Sequence, residues 1–140
     1  MHLHSTSKYA IRIMSYMANN NNYNNKILFN AKDISEILTI PYKFLTKIMS
    51  DLVKANLIIS IRGREGGYKI ARPASNITII EIINLFNDLT YKEECFLGIG
   101  KCDGENRCSM HDKWVEPKIL IQKMFEETTL QNLEGKEFKI

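Results

Sequence analysis

Residues 30–71 of the 140-residue chain read NAKDISEILTIPYKFLTKIMSDLVKANLIISIRGREGGYKIA, and this stretch decides the predicted fold. Asn30 is a residue type that caps helix N-termini, so we predict a short helix over 31–38. A turn at 39–41 follows, and Pro41 suits the first position of a second helix. The apolar residues of that helix have the i, i+3, i+4, i+7 spacing of one buried face: Leu45, Ile48, Met49, Leu52 and Val53.

A predicted β-hairpin follows the second helix. Asn56 tolerates the left-handed conformation that ends many helices, and two β-like segments at 57–61 and 68–71 flank the sequence RGREGG. Glycines in such an intervening sequence are typical of a hairpin turn. A short helix, a turn, a second helix and a hairpin with a basic tip are the parts of a winged helix-turn-helix. We therefore predict a mainly α-helical fold with one small β-hairpin.

Further helices are predicted on both sides of this unit. Residues 6–18 have helical apolar spacing, whereas the Asn-rich residues 19–25 favour a loop and residues 27–29 a small strand. Thr78 and Glu81 form a capping box that opens another helix. The expected apolar stripe of that helix consists of Ile79, Ile82, Ile83, Phe86 and Leu89.

The last predicted element is one long helix. Residues 90–110 lack helical periodicity, and a final helix is expected over 111–128, with Pro117 near its first turns. Its expected apolar side consists of Trp114, Ile121, Met124 and Phe125. The predicted organisation is therefore a winged helix-turn-helix over 1–75, followed over 76–140 by a helix, the cysteine-bearing loop and the long C-terminal helix.

Charge is distributed unevenly along the chain. The net charge is +3, but residues 1–72 contain eleven Lys or Arg against four Asp or Glu, whereas residues 73–140 contain eight against twelve. Contacts to phosphates are therefore expected in the first half. No apolar run approaches the ~18 residues of a membrane-spanning helix, and polar residues interrupt the N-terminus too often for a signal peptide. We expect a cytoplasmic protein without membrane association.

The second helix and the hairpin carry the candidate DNA-contacting residues. In a helix-turn-helix the second helix enters the major groove, and basic side chains contact phosphates and guanine edges. The candidates are Tyr42, Lys43, Thr46 and Lys47 on the helix, and Arg62, Arg64, Gly66 and Gly67 on the hairpin. An adaptor that binds protein through the same fold remains an alternative, and it would lack salt-dependent affinity for DNA.

All cysteines of the chain lie close together, at Cys95, Cys102 and Cys108. With His111 they form the spacing C-x6-C-x5-C-x2-H on a glycine-rich segment. Such clustering of an odd number of cysteines disfavours a disulfide scaffold. Thiolates with an imidazole suit an iron–sulfur cluster, and they also suit structural zinc. Zinc sites usually contain C-x2-C pairs, which this segment lacks, so a cluster is favoured.

Several segments together resemble the Rrf2 family of bacterial winged-helix transcription regulators, which includes IscR, NsrR, RirA and CymR. The resemblance covers nearly the whole chain. Its segments are KYAIR at 8–12, IPYKFLTKI at 40–48, RGREGGY at 62–68, IT at 77–78, the cysteine segment, HDKW at 111–114 and TL at 129–130.

The resemblance implies a homodimer whose long C-terminal helices pack together. Each winged helix would then bind one half-site of a near-palindromic operator in double-stranded DNA. Members with three cysteines in this segment hold a 2Fe–2S or 4Fe–4S cluster. The state of the cluster changes the affinity for DNA and so reports iron–sulfur supply, iron, nitric oxide or redox stress.

The fourth ligand differs between members of the family. NsrR-like members supply an acidic residue of the other subunit at the position of Lys8, whose ammonium has no lone pair at neutral pH. IscR-like members supply a histidine that matches His111. The likeness to the IscR pattern implies ligation by Cys95, Cys102, Cys108 and His111, with 2Fe–2S favoured over 4Fe–4S. The gap after the first cysteine is one residue longer than in IscR-like members. Thr46 occupies the position at which they have a glutamate that discriminates between operator types, so the resemblance implies no operator preference for this protein.

Two further interpretations stay open at the cysteine segment. A regulator of the same fold would sense directly through thiols or zinc, without iron. An enzyme would use a reactive cysteine beside His111, but it would need a substrate pocket and an orienting acid, and the sequence indicates neither. We therefore expect a protein that is not an enzyme and has no small-molecule substrate.

Overall fold

The structure is a computed structural model that describes residues 2–20 and 28–135. Its helices and strands are, in chain order, α1 (Ser5–Asn20), α2 (Ala31–Leu38), α3 (Tyr42–Lys54), β1 (Ile58–Ile61), β2 (Gly67–Ile70), α4 (Ile79–Leu85), α5 (Thr90–Glu93) and α6 (His111–Glu127). This architecture confirms the predicted fold class. Within the described ranges, no helix combines the length and the apolar character needed to cross a membrane.

Helix α2 has the predicted cap and bounds. The Asn30 side chain accepts a hydrogen bond from the Lys32 amide at 2.8 Å, and Thr39 ends the helix in the left-handed conformation with φ 54°. Pro41 precedes α3 as its N-cap instead of occupying the first helical position. The predicted position was therefore wrong by one residue, because ψ 129° at Pro41 is extended and the helix begins at Tyr42.

The core is built around α1 and α3. The predicted stripe of α3 is buried, with Val53 partly buried at its margin. Ala10, Ile13, Met14 and Met17 of α1 are all fully buried. Helix α1 contacts α2, α3, α4 and β2, so one helix contributes to the packing of both halves of the chain. It continues through Asn20, and most of the predicted loop at 19–25 lies outside the described residues.

Strand β2 of the hairpin forms backbone hydrogen bonds along both of its edges. Strands β1 and β2 are antiparallel, with Ile58 opposite Ile70 and Ile61 opposite Gly67. On its other side, Tyr68 exchanges two backbone hydrogen bonds of 2.8 Å with Phe29. Phe29 ends the predicted strand at 27–29, of which residue 27 lies outside the described residues. The hairpin is thus anchored to the chain segment that precedes α2.

Helix α4 begins as predicted but ends early. Thr78 Oγ1 accepts a hydrogen bond from the Glu81 amide at 3.4 Å. The helix stops at Leu85, and Asn87 adopts a left-handed φ of 52°. The expected apolar stripe was therefore wrong at Leu89, which is 39% exposed beyond this turn. The one-turn helix α5, within a segment expected to lack helix, was not predicted.

Helix α6 is continuous through Pro117. Its buried side contains Phe125, whose ring packs edge-on against Tyr91 with 5.4 Å between centroids. Ile121 is partly buried against the same core, as expected. The prediction was wrong for Met124, which is 51% exposed, because the packed side of the helix is narrower than the apolar pattern suggested.

A buried carboxylate ties the N-terminus of α1 to the segment after α4. Asp88 is fully buried, and its oxygens accept hydrogen bonds from the Ser7 hydroxyl at 2.7 Å, the His4 amide at 2.7 Å and the Thr90 hydroxyl at 2.6 Å. Burial alone would raise the pKa of Asp88, but the hydrogen bonds from Thr90, Ser7 and His4 outweigh it and lower the pKa. The folded protein therefore favours the ionised form of this side chain.

We predict that Asp88→Asn lowers the free energy of unfolding at pH 7 by about 1–3 kcal/mol, because buried donors lose a charged acceptor. Because the pKa of Asp88 is lowered in the folded protein, the stabilisation from its ionised form is fully present above the pKa of an unfolded Asp, ~3.9. It is lost as the pH falls through the folded pKa, so the two proteins should converge in acid. Urea unfolding at fixed protein concentration from pH 7 to pH 3 measures both effects.

Glu127→Gln is the matched control. Glu127 forms an exposed pair with Lys123, and its loss should change stability by under about 1 kcal/mol. Equal effects of the two substitutions at pH 7 would contradict a special contribution of the buried carboxylate.

Candidate functional site

The exposed side of α3 carries the helical candidates for DNA contact. Tyr42 is 56% exposed, and Lys43 and Lys47 are also exposed. Thr46 is half-buried, and its hydroxyl donates to the Lys43 carbonyl at 3.1 Å. That hydroxyl proton is therefore engaged within the helix, which leaves the Thr46 methyl and the oxygen lone pairs for other contacts.

The turn between β1 and β2 carries the remaining candidates. Arg62 and Arg64 are both exposed on it, and the Gly66 amide closes it by donating to the Gly63 carbonyl at 3.0 Å. A Cβ at Gly66 would lie 2.2 Å from the Ile61 carbonyl oxygen, and a Cβ at Gly67 would also meet backbone closely. The two glycines thus shape the tip that presents the arginines.

The first cysteine lies at the start of a closed loop. Glu94 and Lys101 form an antiparallel bridge, and the Cys102 amide donates to the Glu93 carbonyl at 2.8 Å. These contacts hold Cys95 and Cys102 at the two ends of a turn. The turn contains Gly98 and Gly100 at φ 73° and 68°, a left-handed region that other residues adopt with strain.

Cys95 is 5% exposed and lies within a ring of backbone donors. Hydrogen bonds from the Ile99 and Leu97 amides lower the pKa of the Cys95 thiol, although burial opposes them. The Cys108 side chain and the Gly98 amide act in the same direction. Backbone N–H groups that converge on one sulfur stabilise a thiolate, the form that binds metals and reacts with oxidants.

The other candidate ligands also form a pair. Cys102 Sγ lies 3.7 Å from His111 Nδ1, and the His111 amide donates to the Cys108 carbonyl at 3.0 Å. All three cysteines are free thiols, and Cys102 and Cys108 are half-buried. The four residues therefore fall into two separate pairs, Cys95 with Cys108 and Cys102 with His111.

The donor atoms are of the types that bind a metal, but their arrangement in the structure is not that of a metal site. Within the described residues, no group of three or more His, Cys, Asp or Glu side chains is arranged to hold a metal ion. Sulfur and imidazole donors are nevertheless the set that iron–sulfur clusters and zinc take. Binding of a metal by all four residues would require the two pairs to move toward each other.

The turn between Cys102 and Cys108 is shaped by Asp103. Its side chain accepts hydrogen bonds from the Asn106 amide at 2.9 Å and the Glu105 amide at 3.0 Å. These bonds are the main cause of the lowered pKa of Asp103. The ionised side chain thus turns the chain back toward α6.

A cavity that was not predicted from the sequence lies beside Cys95. It has a volume of about 290 Å³ and is lined by His2, Glu94, Cys95, Phe96, Leu97, Gly98 and Trp114. The Trp114 and Phe96 rings lie 5.4 Å apart, and Trp114 Nε1 is buried without a hydrogen-bond partner in the described part of the chain. Trp114 was assigned only to the apolar side of α6, and no local pattern linked it or His2 to the cysteines.

Helix α6 leaves large apolar side chains uncovered. Ile119 is 58% exposed, Leu120 59% and Met124 51%. Exposed apolar side chains grouped on one helix are typical of a surface that binds another protein chain.

Comparisons with known proteins agree with this architecture. Residues 3–135 match the Rrf2 family, described as iron-dependent transcriptional regulators. The HTH-type transcriptional regulator NsrR of Oceanobacillus iheyensis is 33% identical over 95% of this chain and 89% of its own length. The HTH-type transcriptional regulator IscR of Vibrio campbellii is 32% identical over 95% of this chain and 77% of its own length.

A solved structure supports the fold. CymR, described as the global cysteine regulator of B. subtilis, superposes with a TM-score of 0.76 and 21% identity, covering 95% of each chain. At this identity the likeness shows the fold alone. The match over residues 3–135, together with the two relatives above 30% identity, shows the family. This chain belongs to the Rrf2 family of transcriptional regulators.

Proposed function

We propose that this protein is a DNA-binding regulator whose affinity for an operator is controlled by an iron–sulfur cluster held by Cys95, Cys102, Cys108 and His111. The observation that carries this proposal is the pairing of these donors, Cys95 with Cys108 and Cys102 with His111. Two pairs of ligands suit a 2Fe–2S cluster, in which each iron takes two protein ligands, better than 4Fe–4S.

The relatives support this choice of sensor. The family carries the description iron-dependent, and the NsrR and IscR relatives cover nearly the whole chain, the cysteine segment included. A bound cluster supplies redox and ligand-exchange chemistry that responds to iron supply, nitric oxide or oxidants. The chain's own contribution is to lower the pKa of the Cys95 thiol through backbone amides and to place His111 at the start of α6.

Two exposed basic surfaces support DNA binding by residues 1–75. Lys43 and Lys47 would contact DNA from α3 together with Tyr42 and Thr46. Arg62 and Arg64 would enter the neighbouring minor groove, on a tip that Gly66 and Gly67 allow to turn. In this proposal residues 76–140 form the sensing and dimerisation part, and the protein works in the cytoplasm, where bacterial operators lie.

The proposed control acts through the segment between α5 and α6. Helix α5, which leads into that segment, is joined through Thr90 and Asp88 to the start of α1, and α1 packs against α3. Closure of the cysteine pairs would move the 90–110 loop against α6 and so change the separation of the two recognition helices in a dimer. Half-site spacing is a geometric requirement, so a small change alters affinity.

Direct thiol sensing is the second candidate function. It is favoured by the free thiols of Cys95, Cys102 and Cys108 and by the 3.7 Å contact between Cys102 Sγ and His111 Nδ1. The lowered pKa of Cys95 acts in the same direction. In this case, or with zinc in place of iron, the DNA-binding part keeps its role and the protein has no absorption beyond ~300 nm, since zinc–thiolate bonds lack low-energy transitions.

We predict that protein purified without oxygen contains iron and acid-labile sulfide in matching amounts, with a visible chromophore, and that Cys102→Ala loses all three because one ligand is missing. The variant should remain a folded dimer. Metal and sulfide analysis, the absorption spectrum and sedimentation measure these properties.

Ser109→Ala is the control for the same segment, and it should keep the cluster. An unchanged spectrum in Cys102→Ala would contradict the ligand assignment. Zinc alone, or no metal, in the wild-type protein would favour the second candidate function.

We predict that Arg62→Ala with Arg64→Ala weakens binding to an operator selected from a random duplex library. It should also flatten the salt dependence by about 0.9 in log–log slope for each phosphate that the protein no longer neutralises. Fluorescence anisotropy across salt concentrations measures the slope. Lys92→Ala on α5 removes an exposed charge outside the proposed DNA interface and should leave the slope unchanged. If the double variant keeps the wild-type slope, the hairpin does not contact phosphates.

We predict that Leu120→Glu converts the dimer to a monomer, because a charge at a desolvated interface has no partner. Sedimentation equilibrium measures the change. Lys32→Glu reverses an exposed charge on α2 and should leave the dimer intact. Persistence of the dimer in Leu120→Glu would move the interface away from the exposed apolar side of α6.

A further inference from the structure

Phe44 is an exposed aromatic residue in the first turn of α3. Its side chain is 61% exposed, whereas the next residue, Leu45, is fully buried. The ring pairs within the described residues are Tyr16–Phe29, Tyr91–Phe125 and Phe96–Trp114, and none of them involves Phe44. The ring is therefore left mostly in solvent, without an aromatic partner among the described residues.

The surroundings of Phe44 indicate the chemistry of its partner. Lys43 and Lys47 are exposed on the same helix, so the partner is polyanionic. In a helix-turn-helix the first residues of the recognition helix approach the base edges. Among the groups that base pairs present in the major groove, the large apolar one is the 5-methyl of thymine.

We infer that Phe44 reads the 5-methyl group of a thymine in each operator half-site. The inference rests on the proposed DNA-binding function and adds a determinant of sequence preference to it. Lys43 and Lys47 supply affinity through charge and are indifferent to that methyl group. Burying the methyl group against the aromatic ring contributes to the binding free energy, and this contribution is lost when any other base occupies the position.

The test uses the full-length protein, purified without oxygen, and a duplex that it selects from a random library. Each thymine of the selected duplex is replaced in turn by uracil, which removes only the 5-methyl group. We expect one position in a half-site where uracil weakens wild-type binding about fourfold, the factor that burial of one methyl group gives. Phe44→Ala should bind the thymine duplex more weakly and show the same affinity for both duplexes.

Two variants control for general weakening. Lys47→Ala should bind both duplexes more weakly but keep the fourfold ratio. Ile37→Ala, which removes a side chain of 58% exposure on α2, should also keep that ratio. Because Phe44 is mostly exposed, Phe44→Ala should unfold at the wild-type temperature.

The outcomes separate this inference from the proposed function. The role of Phe44 is overturned if no uracil substitution in the selected duplex weakens binding, or if the fourfold ratio persists in Phe44→Ala. Either result leaves the proposed DNA-binding function standing. Loss of the ratio in Ile37→Ala as well overturns the assignment to Phe44. Failure of the library to yield any enriched sequence overturns the proposed DNA-binding function and the inference with it.

Discussion

The burial of α1 is the interaction on which the rest of the molecule depends. Ala10, Ile13, Met14 and Met17 are withdrawn completely from solvent, and the helix contacts α2, α3 and α4. Because α3 rests its apolar stripe on this core, its charged side faces outward. At the beginning of α1, Ser7 is bonded to Asp88. One helix therefore orients the DNA-binding candidates and adjoins the segment that leads to the cysteines.

Local patterns predicted most of the fold, and long-range contacts account for what they missed. Apolar spacing and caps located α2 and the start of α4 because these signals lie within a few residues. The bonds that Asp88 makes to His4 and Ser7 join residues 84 and 81 positions apart, so no window of sequence reveals them. Likewise, the cysteine spacing identified four donors, but their pairing depends on the path of the loop, which spacing does not determine.

The same four donors would serve either of the two proposed sensing chemistries. Backbone amides around Cys95 lower its pKa, which favours the thiolate whether the sulfur binds iron or reacts with an oxidant. His111, in contact with Cys102, would likewise suit a metal site or a site of thiol chemistry. Under the proposed function, one signal could therefore replace another at this segment without a change in the helices proposed to contact DNA.

The bridge between Glu94 and Lys101 bears on how such proteins are recognised and how they diverge. It joins the stems of the loop, so a residue inserted between Cys95 and Cys102 lengthens the bulge without separating its ends. Surface loops of this kind tolerate insertions and deletions, so we expect the number of residues between these two cysteines to vary among homologues. We expect the gap from Cys108 to His111 to vary less, because the hydrogen bond from the His111 amide to the Cys108 carbonyl closes the turn that leads into α6.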